Sequence, residues 1–187
     1  MSQSRRHGLA ESVVNVAVDR GDWIQTYSGN AFYPMSPRVD DVHIVDIAHA
    51  LSQLCRYGGH CLRFYSVAEH CILLSRIVAP EHALWALLHD ASEAYLVDVP
   101  RPIKRHLSGY VEAERDIMAA VCERFGIDPQ EPDAVKEADT RILTDESRQL
   151  MAPPPMPWST DCEPLGVTLE FMDCETAERK FLERFLA

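Results

Sequence analysis

Residues 87–100, LLHDASEAYLVDVP, place His89 beside Asp90 at the end of a leucine-rich run, with Glu93 within one turn and Asp98 just before Val99-Pro100. A packed helix gains nothing from an imidazole and three carboxylates unless something pairs with them, because burying an ionised group alone costs several kcal/mol. Two more chelating side chains fall on apolar faces. His70 lies three residues after Val67 and four before Leu74, and Asp139 lies four after Val135 and three before Ile142. Both spacings are helical, so both groups are expected to point inward. A single histidine on such a stripe is more often a satisfied core residue, and Asp139 alone could pair with Arg141 or Lys136. Four chelators on the inward faces of three helices point instead to a divalent metal held by His70, His89, Asp90 and Asp139. Such a set suits Mn, Co, Fe, Ni or Zn, with Mg a further candidate. A metal lowers the pKa of bound water and so makes a nucleophile near neutral pH. Glu93, at i+4 from His89 and i+3 from Asp90, and Asp98 just beyond are the candidate proton-handling acids. A second ion near Glu93 and Asp98 stays open.

Basic groups gather around these residues in sequence. Arg56, Arg63, Arg101, Lys104 and Arg105 flank the acidic motifs, and guanidinium forks match phosphate oxygens. For Arg63, Arg101 and Arg105 an ordinary surface role is an equal alternative. Trp23, Phe32 and Tyr33 could stack on a base, although core packing is the stronger expectation for each.

The elements that must position these groups are helical. WIQTYSGNAFYPMSP (23–37) reads as a small hairpin around a Ser-Gly-Asn turn. VHIVDIAHALSQLCRY carries an apolar stripe from Ile44 to Cys55. SVAEHCILLSRIVAP opens with Ser66 and Glu69 in capping-box spacing. PEHALWALLHDASEAY is apolar almost all round and is expected to be the central buried helix. VPRPIKRHL is a proline-punctuated connector, and SGYVEAERDIMAAVCERFGI is an amphipathic helix ended by Gly126. DAVKEADTRILTDESRQLM is a further helix stopped by APPPMPW, and TLEFMDCETAERKFLERFLA closes the chain as an amphipathic helix. The expectation is an all-α single domain over residues 1–187, with six or seven helices and a small N-terminal hairpin. Its metal-site core spans about 43–148, with a C-terminal helical extension over 159–187.

A chain of 187 residues with a formal charge of −11 disfavours polynucleotides and anionic membranes as partners. No apolar run is long enough for a membrane span. MSQSRRHGLAESVVNVAV lacks the uninterrupted apolar stretch of an export signal, so a cytoplasmic protein is expected. Six cysteines without a C-x-x-C pair suggest reduced thiols rather than a disulfide framework.

The pattern His70, His89–Asp90, Asp139 resembles the H…HD…D signature of the HD-domain phosphohydrolases, which are metal-dependent all-helical enzymes. CRYGGHCLRFYSVAEH, LLHDASEAYLVDVPRPIK and VKEADTRIL are similar to the YfbR-like 5′-deoxynucleotidase branch, and closer to its YfdR-like and phage relatives. Those relatives include dATP triphosphohydrolases, and the resemblance covers roughly residues 23–148. It implies that His70, His89, Asp90 and Asp139 ligate the metal, that Glu93 helps activate water and that Asp98 is the acid of the following D-x-P. It places Arg56 on the substrate phosphate and Tyr57 beside the sugar, where the deoxynucleotidase branch usually has tryptophan. It also brings His60 and Lys104 to the phosphates. The implied activity is hydrolysis of a 2′-deoxynucleotide, either triphosphate release from a dNTP or phosphate release from a dNMP. A non-catalytic nucleotide-binding regulatory module is the rival class. Relatives of this kind form homo-oligomers, in the host cytoplasm where they are phage-encoded.

Overall fold

Turn chemistry shapes the first described residues of the computed structural model, which describes residues 20–158 and 162–187. The stretch read above for an export signal lies outside them. Strand β1 (Ile24–Gln25) pairs antiparallel with β2 (Ala31–Phe32), Ile24 opposite Phe32. Gly29 closes the turn at a φ of 85°, which its missing Cβ allows at little cost. Phe32 is buried and its ring stacks on Tyr95, so it packs the core rather than facing a base.

Eight α-helical segments follow among the described residues: α1 (Ile44–Gln53), α2 (Val67–Ile77), α3 (Ala83–Leu88), α4 (Glu93–Leu96), α5 (Arg101–Lys104), α6 (Tyr110–Phe125), α7 (Asp133–Leu150) and α8 (Cys174–Phe185). Two of them, α4 and α5, are single turns. The architecture is an all-α bundle with a small N-terminal hairpin. No described helix is long and apolar enough to cross a membrane.

The central place belongs to α2, not to the 80–95 segment. Every residue from Val67 to Ser75 is buried, and α2 touches α1, α3, α7 and α8. One side of the core gathers Ile47, Leu51, Ile72, Leu88, Ile117 and Phe181, and the other gathers Leu74, Trp85, Val135, Ile142 and Leu150. Each such side chain contributes about 1.5–3 kcal/mol on burial. Phe181 and Ala177 seat α8 in this core, against α1 and α2.

Three segments depart from their expected form. First, α1 stops at Gln53, because Leu54 turns its carbonyl to the Val67 amide at 3.0 Å and Cys55 bridges Ser66. Second, the helix expected over 80–95 breaks after Leu88. The amides of Ala91, Glu93, Ala94 and Tyr95 reach back three residues rather than four, tightening the chain through the His89–Ser92 turn.

Third, the C-terminal helix begins at Cys174, where Asp173 caps it by accepting from the Thr176 amide at 2.7 Å. The residues just before it form an extended strap held by side chains of other helices. Ser66 accepts from the Glu69 amide at 3.1 Å, as the capping box requires, but the Glu69 carboxylate does not reach back. It accepts the amides of Glu170, Phe171 and Met172 at 2.7, 2.9 and 2.7 Å. Asp145 likewise accepts from Leu165 and Gly166 at 2.7 and 3.0 Å.

Candidate metal centre

His70 reaches the centre from the middle of α2, where its side chain is fully buried. Its Nδ1–H donates to Glu146 Oε1 at 2.7 Å, which turns Nε2 toward the site. His89 sits just beyond α3, and its Nδ1–H donates to the Ala86 carbonyl at 2.8 Å, so its Nε2 also faces inward. Fixing one ring nitrogen with an acceptor leaves the other free as a metal ligand.

The two Nε2 atoms stand 3.2 Å apart, so a proton on one can be accepted by the other. Asp139 Oδ1, from α7, lies 3.2 Å from His70 Nε2 and 3.8 Å from His89 Nε2. Asp90 Oδ2 reverses these distances, at 3.2 Å from His89 and 3.8 Å from His70. Donors bound to one ion at about 2.0–2.2 Å lie about 2.9–3.4 Å apart, close to these separations. His70, His89 and Asp139 therefore have the spacing of a metal site.

Cys71, His89 and Asp90 form a second cluster of suitable spacing. Cys71 Sγ, however, approaches His89 at 3.8 Å on the Nδ1 edge, which Ala86 already occupies. Burial also raises the Cys71 thiol pKa. The set facing Nε2 is the better metal site.

The electrostatics follow from this crowding. Burial would raise the Asp139 pKa, but the His70 hydrogen bond and the imidazole charges outweigh it and hold the carboxyl at about 2. Asp90 is lowered in the same way against burial, mainly by His89. Burial and the Arg56 cation oppose protonation of His70, yet Glu146 and Asp139 raise it overall. His89, also buried, is raised well above its usual value by Asp90.

Glu93 is buried, and among the described residues its Oε2 has no hydrogen-bond partner. Burial first, then the charges of Asp90 and Asp98, push its pKa well above the ordinary carboxyl range. Asp98 is raised more modestly, again chiefly by burial. The charges of Asp90, Arg56 and Lys104 act on both acids.

The basic and aromatic candidates divide. Arg56 is buried between two carboxylates, with Nη1 3.5 Å from Asp90 and Nη2 3.2 Å from Glu146. The Tyr57 hydroxyl donates to the same Glu146 oxygen, and its ring tilts against Trp158. His60 is exposed on the loop, and among the described residues no hydrogen bond or ion pair joins its ring to the cluster. Lys104 Nζ pairs with Glu114 at 2.7 Å, while the exposed Arg101 lies at the rim, 4.0 Å from Asp139. Arg63 lies over the Phe171 ring, and Arg105 Nε donates to His106 Nε2 at 3.1 Å, both on the surface. Arg141 pairs with Glu137 rather than with Asp139.

Glu146 is the functional residue that sequence reasoning missed. It is fully buried and joins His70, Arg56 and Tyr57 in one network. Its signal was present: it lies seven residues, two helical turns, after Asp139 and four after Ile142 on the inward face of α7. A cavity of about 480 Å³ lies not at the cluster itself but beside Trp85, Ile127 and Glu131.

Fold and site together define an all-helical protein with a histidine–carboxylate cluster spaced for a metal ion. No family model matches the chain. It is 45% identical over 128 residues to the protein YfdR of Escherichia coli, a match covering 68% of this chain and 72% of YfdR. It is 36% identical over 142 residues to a protein of Rhodobacter capsulatus, again over 68% of this chain and 72% of the relative. Both relatives are named only as uncharacterized proteins. The chain belongs to the YfdR family.

Proposed function

We propose that the chain is a divalent-metal phosphohydrolase of the HD class acting on small 2′-deoxynucleotides. The observation that carries this reading is the metal-spaced triad of His70 Nε2, His89 Nε2 and Asp139, with Asp90 3.2 Å from His89 Nε2 and with the buried Glu93, whose Oε2 has no hydrogen-bond partner among the described residues. Imidazole and carboxylate together suit Mn, Co, Fe or Zn, and to a lesser degree Mg. The bound ion would supply an activated water and polarise a phosphate oxygen. Glu93 and Asp98 are the groups that take up and return the proton of the attacking water. Arg56, held between Asp90 and Glu146, keeps a positive charge at the inner edge, where charge builds on the phosphorus oxygens. The oxygen of Glu93 that lacks a partner is also where a second ion would bind.

Arg101 and Lys104 add cations outside the inner edge, on the single turn α5. Charge spread beyond a single phosphate favours a triphosphate substrate, so triphosphate release from a dNTP is the preferred activity over phosphate release from a dNMP. Tyr57, hydrogen-bonded to Glu146, supports the loop in this reading rather than the sugar. The net charge of −11 fits a small nucleotide better than a polynucleotide. A cytoplasmic homo-oligomer is part of the same proposal, with the exposed Val97, Ile103, Leu107 and Val111 as its apolar contact.

Incubation of the purified chain with dATP and dAMP plus Mn²⁺ or Co²⁺ separates the activities by product. Triphosphate from dATP is expected, and orthophosphate from dAMP would move the assignment to a 5′-deoxynucleotidase. No turnover by metal-loaded protein on any nucleotide would leave only a regulatory binding module.

A further inference from the structure

Cys55 and Cys61 bracket the loop that carries Arg56. Their sulfurs are 3.4 Å apart, the one sulfur–sulfur contact among the described residues, which include all six cysteines. Both are half-buried, whereas Cys71 and Cys122 are buried. The backbone sets this approach. Cys55 bridges Ser66, and the Arg56 amide donates to the Tyr65 carbonyl at 2.9 Å, so one arm of the loop is pinned. Tyr57, Gly58 and Gly59 then take φ values of 57°, 59° and 79°, reversing the chain within a few residues. Left-handed φ is uncommon for tyrosine, and the Tyr57 hydroxyl on Glu146 helps hold it there.

We propose that Cys55 and Cys61 are a reversible thiol modification site, forming an intramolecular disulfide by exchange with a small-molecule disulfide of the glutathione type. One protein thiolate attacks a sulfur of the small disulfide, giving a mixed disulfide and releasing one small thiolate. The second protein thiolate then attacks the protein-bound sulfur, forming the Cys55–Cys61 bond and releasing the second small thiolate. The two protons lost by the protein thiols end on the two released thiols. The protein is oxidised by two electrons and the small disulfide is reduced by two. The sulfurs need to close from 3.4 Å to about 2.05 Å. Burial and the neighbouring Cys55 sulfur push the Cys61 thiol up to about 11, so exchange accelerates as pH rises. Under the function proposed above, the closed ring contains Arg56 and Tyr57, so oxidation acts on the phosphate side of the site and leaves His70, His89, Asp90 and Asp139 in place.

The test uses the full chain treated with oxidised glutathione, quenched by alkylation under denaturing conditions and mapped by peptide mass. The expected product links Cys55 to Cys61, carries two fewer alkyl groups than the untreated chain alkylated in the same way, leaves the other four cysteines alkylated and reverts with dithiothreitol. Cys61→Ser is expected to leave Cys55 as a persistent glutathione adduct. Alkylation of both cysteines in the treated wild-type chain, separate adducts on each, or linkage to another cysteine would overturn the proposal. None of these readouts needs nucleotide turnover, so a failure here is separable from a failure of the phosphohydrolase reading.

Discussion

Glu146 joins the two halves of the site at the scale of single residues. One oxygen orients His70, and the other holds Arg56 and Tyr57, so the candidate metal ligand and the candidate phosphate-side cation share one carboxylate. Carboxylates behind a ligating histidine typically change metal affinity by about 10–100-fold when removed. Glu146→Gln is therefore expected to weaken divalent-metal binding by about that factor, measured by competition with a chromogenic chelator. An unchanged affinity would remove Glu146 from the metal centre. Burial alone would raise the Glu146 pKa, but Arg56 and His70 overcome it and hold it at about 2, below its ordinary 4.5. A depressed carboxyl stabilises the fold above its ordinary pKa, and that contribution is lost as pH falls through the folded value. Urea unfolding of metal-free protein should thus show stability falling from about pH 4.5 toward pH 2. The slope should be shallower in Glu146→Gln. An identical slope in both proteins would place the acid sensitivity elsewhere.

Among elements, the strap before α8 is the one whose position depends most on a single side chain. Glu69 takes three consecutive amides from Glu170 to Met172, a cradle formed between residues about a hundred positions apart. Removing the carboxylate leaves buried donors without an acceptor, and each such loss costs about 1–3 kcal/mol. Glu69→Ala is expected to lower unfolding free energy by on the order of 3 kcal/mol, with faster amide exchange over 165–172. Exchange rates there that match the wild type would show that the strap is held without it, by Asp145 and by Gln149, which accepts the Leu169 amide at 3.1 Å. The turn through His89–Ser92 carries the opposite lesson. The leucines that drive α3 inward were legible as apolar pattern, but the tightening to three-residue hydrogen bonds was not. Nothing in the local sequence distinguishes it from a continuing helix. The tight turn still puts His89 and Asp90 on the same centre, which the adjacent pairing in sequence already suggested.

The whole molecule shows where sequence reading succeeds. Features encoded within a few residues were legible: the Gly126 stop of α6, the hairpin turn, the α7 stripe and the inward placement of His70 and Asp139. Features that depend on distant partners were not. Glu69 reads as half of a local capping box until the strap is seen, and Glu146 reads as a charged position near the end of a helix until His70 and Arg56 arrive from elsewhere. His60 and Lys104 came from resemblance, and here His60 stands exposed while Lys104 is engaged by Glu114. The acidity of the chain acts at this scale too. With a net charge of −11, the protein should not retain duplex DNA even at low salt, as checked by mobility shift. A salt-sensitive shift would instead reveal a basic face strong enough to override the field. The proposed ion site of His70, His89, Asp90 and Asp139 is tested most directly by calorimetric titration of the metal-free chain with Mn²⁺. One ion per chain is expected at this site, with binding lost in both His89→Ala and Asp139→Ala while circular dichroism confirms that each variant remains helical. No binding, or binding that survives both substitutions, would contradict the account.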